Sequence, residues 1–294
     1  MHLGRQHANY GRGEHTIELG IADEPEAIAA RLMEQLRSKQ CDPPKLPQVG
    51  LELMELARRP DVDFRQFSAV IEKDPLLAAK VLRIAQSPAY ATSVPLKTLP
   101  QALSRLGLGT VADIVLEASM NLTLFRAPGL DEVMNELRRH STATAYIARI
   151  ISAHTRFDDD YAFLCGLLHD IGIVAGIIVL TRSGETLPPY DTKLKPALVR
   201  IHERAAAALA EEWKLAPEVG WVISHHHQLR FKGRIHGVAA AVALADYLAG
   251  QLGMGARHHS PTTLLVEARA ALRLEGPVLD RIRAEAQEAI AGIE

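Results

Sequence analysis

The sequence predicts an all-α protein, and three observations lead to that class. Hydrophobic residues make up 48% of the 294 residues but aromatic residues only 5%, and Leu and Ala are abundant, which favours helix over sheet. Apolar residues recur at four-residue spacing, as at Ile28, Leu32 and Leu36, which is typical of an amphipathic helix. Prolines then break the chain at 43, 44 and 47. A chain of this length can bury a substantial core as one large domain or two smaller ones.

The first part of the chain divides into a leader and a helical half. Residues 1–24 are polar, contain glycine and show no periodicity, so we predict a flexible leader. Residues 25–128 are predicted to form an N-terminal half of short helices separated by turns. The first three helices are expected to start at Glu24, to cover 49–57 and to start after Asp63. A fourth is expected over 75–85, with Asp74 as N-cap and Pro75 in the first turn. Two more are expected within 101–125, on either side of a hinge near Gly107.

The second half, residues 129–252, is predicted to be a bundle of longer helices that begins after the Ala-Pro-Gly at 127–129. Residues 161–180 are apolar almost all round, so we predict that they lie at the centre of this bundle. Amphipathic or apolar helices are expected around them over 130–153, 195–215, from Pro217 to the histidines at 225–227, and over 235–252, with aspartates 158–160 in a turn. Residues 253–294 are predicted to form C-terminal helices.

Composition excludes several classes of function. The chain carries 33 basic and 35 acidic residues without a Lys/Arg block, which argues against a nucleic-acid surface. Cys41 and Cys165 are too few for a disulfide framework and suit a reducing compartment. The N-terminus lacks the apolar core of a signal peptide, and the longest apolar run, 171–180, is shorter than the roughly 20 residues that span a bilayer. We therefore expect a cytoplasmic protein that binds neither nucleic acid nor a membrane.

Five predicted helices of the second half each carry a potential metal ligand on a buried or half-buried stretch. The candidates are His140, His169 with Asp170, His202, His226 or His227, and Asp246. Imidazole and carboxylate groups suit Fe, Mn, Zn or Ni, and a set without thiolates argues against a structural zinc site. Asp170 is the natural bridge, because its two oxygens can face two cations. Glu136 shares a helical face with His140 and could add a ligand or orient the imidazole.

The three consecutive histidines need a register. Val219, Val222 and Ile223 mark the inward face of their predicted helix, and steps of three or four residues from them reach His226 and His227. We therefore place these two histidines inward and His225 at the edge. Taken alone, a helical histidine is more often a surface residue or a hydrogen-bonded core residue than a ligand. The metal-site hypothesis therefore depends on the combined order and spacing of all the candidates.

The combined motifs resemble the HDOD proteins, which are relatives of the HD superfamily of metal-dependent phosphohydrolases. The similarity runs from Leu46 to Leu248 and includes EKDPLLAAKVLRIAQSPAY in the first half, where Gln86 replaces the usual asparagine, and FLCGLLHDIG, ISHHH and ALADYLA in the second. The resemblance implies an N-terminal helical subdomain packed on an HD-type bundle. It also implies that one metal is held by His140, His169, Asp170 and Asp246, and a second by Asp170, His202 and His226, with His227 as a further ligand.

The resemblance leaves more than one function open. Many HDOD proteins have lost HD ligands and act as regulatory or interaction modules in bacterial signalling, whereas this chain retains them. HD hydrolases use such a metal pair to activate a bridging water for attack on phosphorus. However, Ile173 stands where HD-GYP phosphodiesterases carry a lysine, and no GYP follows the histidines. The cations that offer phosphate contacts are Arg204, Arg230, Lys232 and Arg234.

Our leading hypothesis is a cytoplasmic signalling protein that binds one or two transition metals, with Fe or Mn favoured over Zn or Ni, and acts through a protein partner or as a homodimer. The first alternative is a metal-dependent phosphohydrolase or phosphodiesterase acting on a nucleotide or cyclic dinucleotide, with Asp170 as the catalytic metal bridge. The second alternative is a metal-free interaction scaffold, in which close pairing or protonation of Asp170 replaces the metal.

Overall fold

The computed structural model describes residues 24–38, 43–87, 90, 96, 98–155, 161–183, 187–255 and 261–291, and over these residues the protein is all-α. The prediction of the fold class is therefore confirmed. The predicted leader, apart from its last residue, and the predicted turn at aspartates 158–160 lie outside the described residues.

Helices α1 to α14 and one short hairpin make up the described chain. The helices are α1 Pro25–Arg37, α2 Gln48–Ala57, α3 Phe64–Glu72, α4 Pro75–Ala85, α5 Leu99–Leu106, α6 Leu108–Thr123, α7 Asp131–Ala153, α8 Ala162–Leu168, α9 Ile171–Arg182, α10 Lys195–Glu212, α11 Pro217–Ser224, α12 Gly237–Gln251, α13 Thr262–Leu272 and α14 Gly276–Ile290. A π-helical turn, Tyr190–Leu194, precedes α10. The hairpin pairs β1 Arg230–Phe231 with β2 Arg234–Ile235 in antiparallel fashion.

Local sequence signals account for several helix boundaries. The Asp74 carboxylate accepts hydrogen bonds from the backbone N–H groups of Leu76 and Leu77 at 2.9 and 3.3 Å, so it caps α4 as predicted. Asp63 caps α3 in the same way through the N–H of Arg65. Such caps satisfy amide groups that have no partner within the helix, and each is worth about 1 kcal/mol.

Two predicted helices end earlier than the sequence indicated. The apolar stretch 161–180 is not one helix, because α8 ends at Leu168 and α9 starts at Ile171, with His169 and Asp170 in the turn between them. Similarly, α11 ends at Ser224, so the three histidines lie beyond the helix rather than on its face. In both places the ligand candidates sit where the chain bends, which lets neighbouring residues turn toward a common point.

Helix α7 is the centre of the second half. It packs against α8, α12 and α14, while α9 packs against α10 and α10 against α11. In the first half α6 packs against α2, α4 and α5. The position of α1 in the sequence places it in the first half, but the structure packs it on α9 and α10 of the second. Its buried residues Ile28, Leu32 and Met33 therefore cover the helices that carry the ligands.

Two glycines on either side of the His169–Asp170 turn allow unusually close helix packing. A Cβ at Gly166 would lie 2.8 Å from Cα of Ala145 on α7. A Cβ at Gly172 would overlap the carbonyl group of His202 on α10, far inside van der Waals contact. Since real Cβ atoms do not approach backbone so closely, glycine at both positions is what brings α7 and α10 up to the turn.

The stretch Ala162–Arg182 is long and apolar enough to cross a membrane by length and composition alone, but its residues from Ala162 to Leu180 are all buried inside the protein. The apolar run 171–180, considered alone in the sequence, is too short to span a bilayer, but the structure adds α8 to it. Burial on all sides is the pattern of a central core helix. Cys165 in this stretch is a buried free thiol.

Replacing Gly172 should test the close approach of α9 to α10. We expect Gly172→Ala to lower the free energy of unfolding by about 3 kcal/mol, because the methyl group must displace backbone rather than a flexible side chain. Gly109→Ala is the matched control, since nothing lies within 4 Å of a Cβ there, and it should be neutral or stabilising by up to about 1 kcal/mol. Urea unfolding measures both. Equal stability of the two variants would contradict the packing described.

Candidate metal centre

Five segments of the second half bring their polar side chains to one point. Helix α7 supplies His140, the turn between α8 and α9 supplies His169 and Asp170, α10 supplies His202, the segment after α11 supplies His226 and His227, and α12 supplies Asp246. All except His227 are buried, with exposed fractions between 1% and 6%. The side chains predicted as metal ligands therefore lie together inside the bundle rather than on its surface.

Asp170 lies at the middle of this group, and its two oxygens face different histidines. Its Oδ2 lies 3.4 Å from Nε2 of His169 and 3.9 Å from Nε2 of His140. Its Oδ1 lies 3.8 Å from Nε2 of His226 and 4.0 Å from Nε2 of His202. One carboxylate is thus placed between two sets of imidazoles, as a bridging ligand would be.

The remaining ligand atoms form one cluster on each side of Asp170. In the first cluster, His140, His169 and Asp246 offer atoms within 4.8 Å of one another, and His140 Nε2 lies 3.1 Å from Asp246 Oδ1. In the second cluster, His202, His226 and His227 meet the same limit, and the Nε2 atoms of His202 and His226 are 3.2 Å apart. Each cluster could hold one cation with three ligand atoms of its own and share Asp170.

Hydrogen bonds to the backbone fix the orientation of four of these imidazole rings. Each Nδ1 atom lies within hydrogen-bond distance of a backbone carbonyl oxygen. The distances are 2.9 Å from His140 to the oxygen of Met254, 2.8 Å from His169 to that of Gly166, 2.6 Å from His202 to that of Val199 and 3.2 Å from His226 to that of Ile223. Because a carbonyl only accepts, Nδ1–H donates in each case and Nε2 points to Asp170. This is the arrangement that orients histidine ligands in metal sites. The Nε2 of His169 is buried and faces Asp170 Oδ2 at 3.4 Å.

Electrostatics divides the centre into groups that are charged and groups that are neutral. Burial acts to lower the pKa of His169, but the neighbouring carboxylate of Asp170, with Asp246 behind it, outweighs burial and raises the pKa to about 9. Burial and the other histidines hold the pKa of His226 well below its usual value, and burial with His202 lowers that of His227. Burial would raise the pKa of Asp246, yet its hydrogen bond to His140 and the charge of His169 lower it. In the absence of a cation, a proton on His169 therefore offsets one of the two buried carboxylate charges.

The other predicted site residues lie away from these clusters. Glu136 is exposed and lines a small pocket beside His140, but it belongs to neither cluster. Arg204 lines a groove between α1 and α10, Arg230 pairs with Glu267 at 2.5 Å, and the ammonium group of Lys232 lies 5.1 Å from the ring centre of Phe231. The structure thus places none of these three cations, predicted as phosphate contacts, beside Asp170.

Sequence reasoning missed three residues next to the centre. The carbonyl of Met254 orients His140, although residue 254 falls outside the predicted bundle of 129–252. Tyr190 and Lys195 line the pocket that also contains Ile173 and His140. Burial, helped by Glu136, Asp191 and Asp170, raises the pKa of Tyr190 to about 12, so this phenol stays protonated. A backbone carbonyl leaves no signal in a sequence. The helix starting at Lys195 was predicted, but nothing in the sequence indicates that its first residue lies beside His140.

Histidines and aspartates from five segments of an all-α bundle surround a central Asp, which is the arrangement that the resemblance to HD proteins implies. A sequence profile of the HDOD domain matches residues 44–229, more than half of the chain. The chain belongs to the HDOD family, as its motifs predicted.

Solved structures of other proteins share the fold. A candidate metal-dependent phosphohydrolase from Shewanella amazonensis SB2B superposes with a TM-score of 0.74 at 22% identity, over 92% of this chain and 99% of that one. An HDOD domain protein of unknown function from Geobacter sulfurreducens gives 0.67, also at 22% identity, over 92% and 98%. At these identities the similarity establishes the fold alone.

One curated relative is similar to this chain over part of its own length. An uncharacterised protein of Treponema pallidum (strain Nichols) is 26% identical over 230 residues, which cover 71% of this chain and 43% of that protein. The chain thus spans less than half the length of that relative.

The turn that carries Met254 should control the position of His140. Gly253 and Gly255 both have positive φ, +79° and +89°, but only at Gly255 would a Cβ meet His140, at 2.6 Å from its Cβ. We expect alanine at either position to cost about 1–2 kcal/mol of backbone strain, and Gly255→Ala to cost about 1–3 kcal/mol more through the clash. Urea unfolding and the imidazole NMR signals of His140 measure the difference. Equal losses with unchanged His140 signals in both variants would contradict this role.

Proposed function

We propose that this HDOD protein is a cytoplasmic regulatory protein of bacterial-type signalling whose second half binds one or two transition metals, with Fe or Mn favoured and Zn or Ni as the alternatives. The observation that carries the proposal is the placement of Asp170 between two clusters of three ligands. The protein then acts by binding a protein partner.

The residues fit a metal on chemical grounds. Nitrogen and carboxylate oxygen donors without sulfur suit Fe, Mn, Zn or Ni. Imidazoles held by Nδ1–H bonds present Nε2 toward one carboxylate, so little reorganisation is needed on binding. Two buried carboxylates within about 4 Å of the same histidine are costly unless cations compensate them. A bound ion would replace the proton on His169 in that role.

The same arrangement supports a second candidate function, metal-dependent phosphohydrolysis on a nucleotide or cyclic dinucleotide. A bound pair of cations would supply an activated water and stabilise charge on a leaving oxygen. Of the chain's own residues, Asp170 and the two clusters would hold this pair, and the phenol of Tyr190 could donate a hydrogen bond to a bound anion. The position of Ile173 weighs against this candidate, because its apolar, 3% exposed side chain lines the pocket where related phosphodiesterases place lysine.

The metal-free scaffold remains a distinct third candidate. In it, the proton on His169 offsets one buried carboxylate charge, and an N–H donated from His140 Nε2, which lies 3.1 Å from Asp246 Oδ1, would have to satisfy the other. This candidate and the metal-binding proposal differ in one measurable quantity, the metal content of protein purified without chelators.

Elemental analysis after anaerobic loading with Fe(II) or Mn(II) tests the metal-binding proposal. We expect about one to two equivalents for the native chain, and less than about 0.2 equivalent for Asp170→Asn, because both clusters share that carboxylate. His140→Ala and His202→Ala should each lower the content by disabling a different cluster. His225→Ala is the matched control from the same histidine triplet and should keep the native content. A native chain with less than about 0.2 equivalent of any transition metal would contradict the proposal.

A substrate panel separates regulation from hydrolysis. If the centre hydrolyses phosphate esters, the metal-loaded chain should turn over at least one nucleotide, phosphomonoester or cyclic dinucleotide, and Asp170→Asn should lower the rate by at least about a hundredfold. His225→Ala should retain the rate, and circular dichroism should show that both variants are folded. No turnover of any compound by a fully metal-loaded preparation would exclude the hydrolytic candidate for that panel and leave the regulatory one.

A further inference from the structure

A large open groove lies between the two halves of the protein, on the side of α4, α6 and the start of α7. Its volume is about 1010 Å³. Helix α4 lines it with Leu76 and Arg83, α6 with Leu122, the turn after α6 with Arg126, and α7 with Arg138. The pocket that contains His140 and Ile173 has a different lining, so the groove is separate from the candidate metal centre.

The groove carries an excess of positive charge. Four cationic side chains line it, Lys80, Arg83, Arg126 and Arg138, whereas Asp131 is the acidic residue among the described lining residues. Lys80 is paired with the buried carboxylate of Glu117. Arg83 and Arg126 are exposed, and neither forms an ion pair with any residue in the described part of the chain. Two arginines are therefore available to an anionic partner.

The same groove also exposes apolar side chains. Leu76 is 68% exposed and Leu122 41% exposed, and both belong to the lining. Leu77 and Phe125 form a buried apolar base beneath them, at 3% and 6% exposure. Exposed leucines around a buried apolar base, rimmed by cations, are typical of a surface that another chain covers.

We propose that this groove binds an acidic amphipathic segment of a partner protein, with its apolar side chains against Leu76 and Leu122 and its carboxylates beside Arg83 and Arg126. This inference rests on the proposed regulatory function, because it names the surface through which that function acts. Arginine offers bidentate hydrogen bonds to carboxylates. A nucleotide fits less well, because Phe125, the aromatic residue of the described lining, is buried and offers no face for stacking on a base.

The structure also connects the groove to the ligand-bearing helix. Asn135 and Arg138 of α7 line the groove, and His140 on the same helix belongs to the first cluster. Glu117, the partner of Lys80, accepts a hydrogen bond at 3.4 Å from the hydroxyl of Thr142, also on α7. One wall of the groove is therefore the helix that supplies His140 to the first cluster, although no groove residue is itself a candidate ligand.

Selection from a displayed library of random 16-residue peptides tests the proposal with the full chain as bait. We expect the enriched peptides to combine Glu or Asp with Leu, Ile or Phe at helical spacing. Fluorescence anisotropy with the best synthetic peptide should then show that Arg83→Glu with Arg126→Glu weakens binding by at least about tenfold. The double variant Arg281→Glu with Arg283→Glu makes the same charge change on the exposed face of α14 and should leave the affinity unchanged. Leu76→Ser with Leu122→Ser should weaken binding without a change of charge.

Enriched peptides without acidic residues, or an affinity that the Arg83 and Arg126 reversal leaves unchanged, would overturn the proposal. So would binding of a cyclic dinucleotide that depends on these arginines and displaces the peptide. Metal content is measured on the same samples: a metal-free native chain contradicts the metal-binding proposal whether or not the peptide binds, and a metal-loaded chain without peptide binding contradicts the groove proposal alone.

Discussion

The burial of one carboxylate, Asp170, among four imidazoles is the constraint on which the rest of the second half depends. A charge at 3% exposure is costly unless opposite charge and hydrogen bonds surround it. Its oxygens lie 3.4 to 4.0 Å from four Nε2 atoms. One belongs to the adjacent His169, and the other three belong to His140, His202 and His226, which are distant in the sequence. The helices that supply these atoms must therefore approach the Asp170 turn closely and in fixed register.

Small residues and backbone carbonyls make that approach possible. Gly166 and Gly172 leave room for the backbones of α7 and α10, and Gly255 leaves room for the ring of His140. Carbonyl oxygens of Gly166, Val199, Ile223 and Met254 then set the ring orientations. None of these groups binds a metal, yet together they decide where the ligand atoms point. The cost of the buried charges is thus offset by geometry that the fold provides in advance.

Much of this could be predicted from the sequence, because side-chain chemistry and helical periodicity are local properties. The helix boundaries at Asp74 and Pro75 follow from capping, whereas the set of ligand candidates follows from the order and spacing that resemble the HDOD proteins, since a single helical histidine does not indicate a ligand. The break at His169–Asp170 could not be predicted, since apolar residues continue on both sides without a proline. Nor could the packing of α1 on α10 or the role of the Met254 carbonyl, because both depend on contacts between residues distant in sequence. Nor does charge alone indicate which face of α10 carries Arg204, which the structure places in the groove between α1 and α10.

Anomalous scattering from a crystal of the metal-loaded chain tests the central claim most directly, because it locates each cation among the residues described. The account predicts one or two peaks at the absorption edge of the metal, each about 2.0–2.3 Å from its ligand atoms, and, if there are two, about 3.5–4 Å apart with Asp170 between them. A fully loaded crystal with no peak beside Asp170, or with peaks only at surface histidines such as His154, would contradict it.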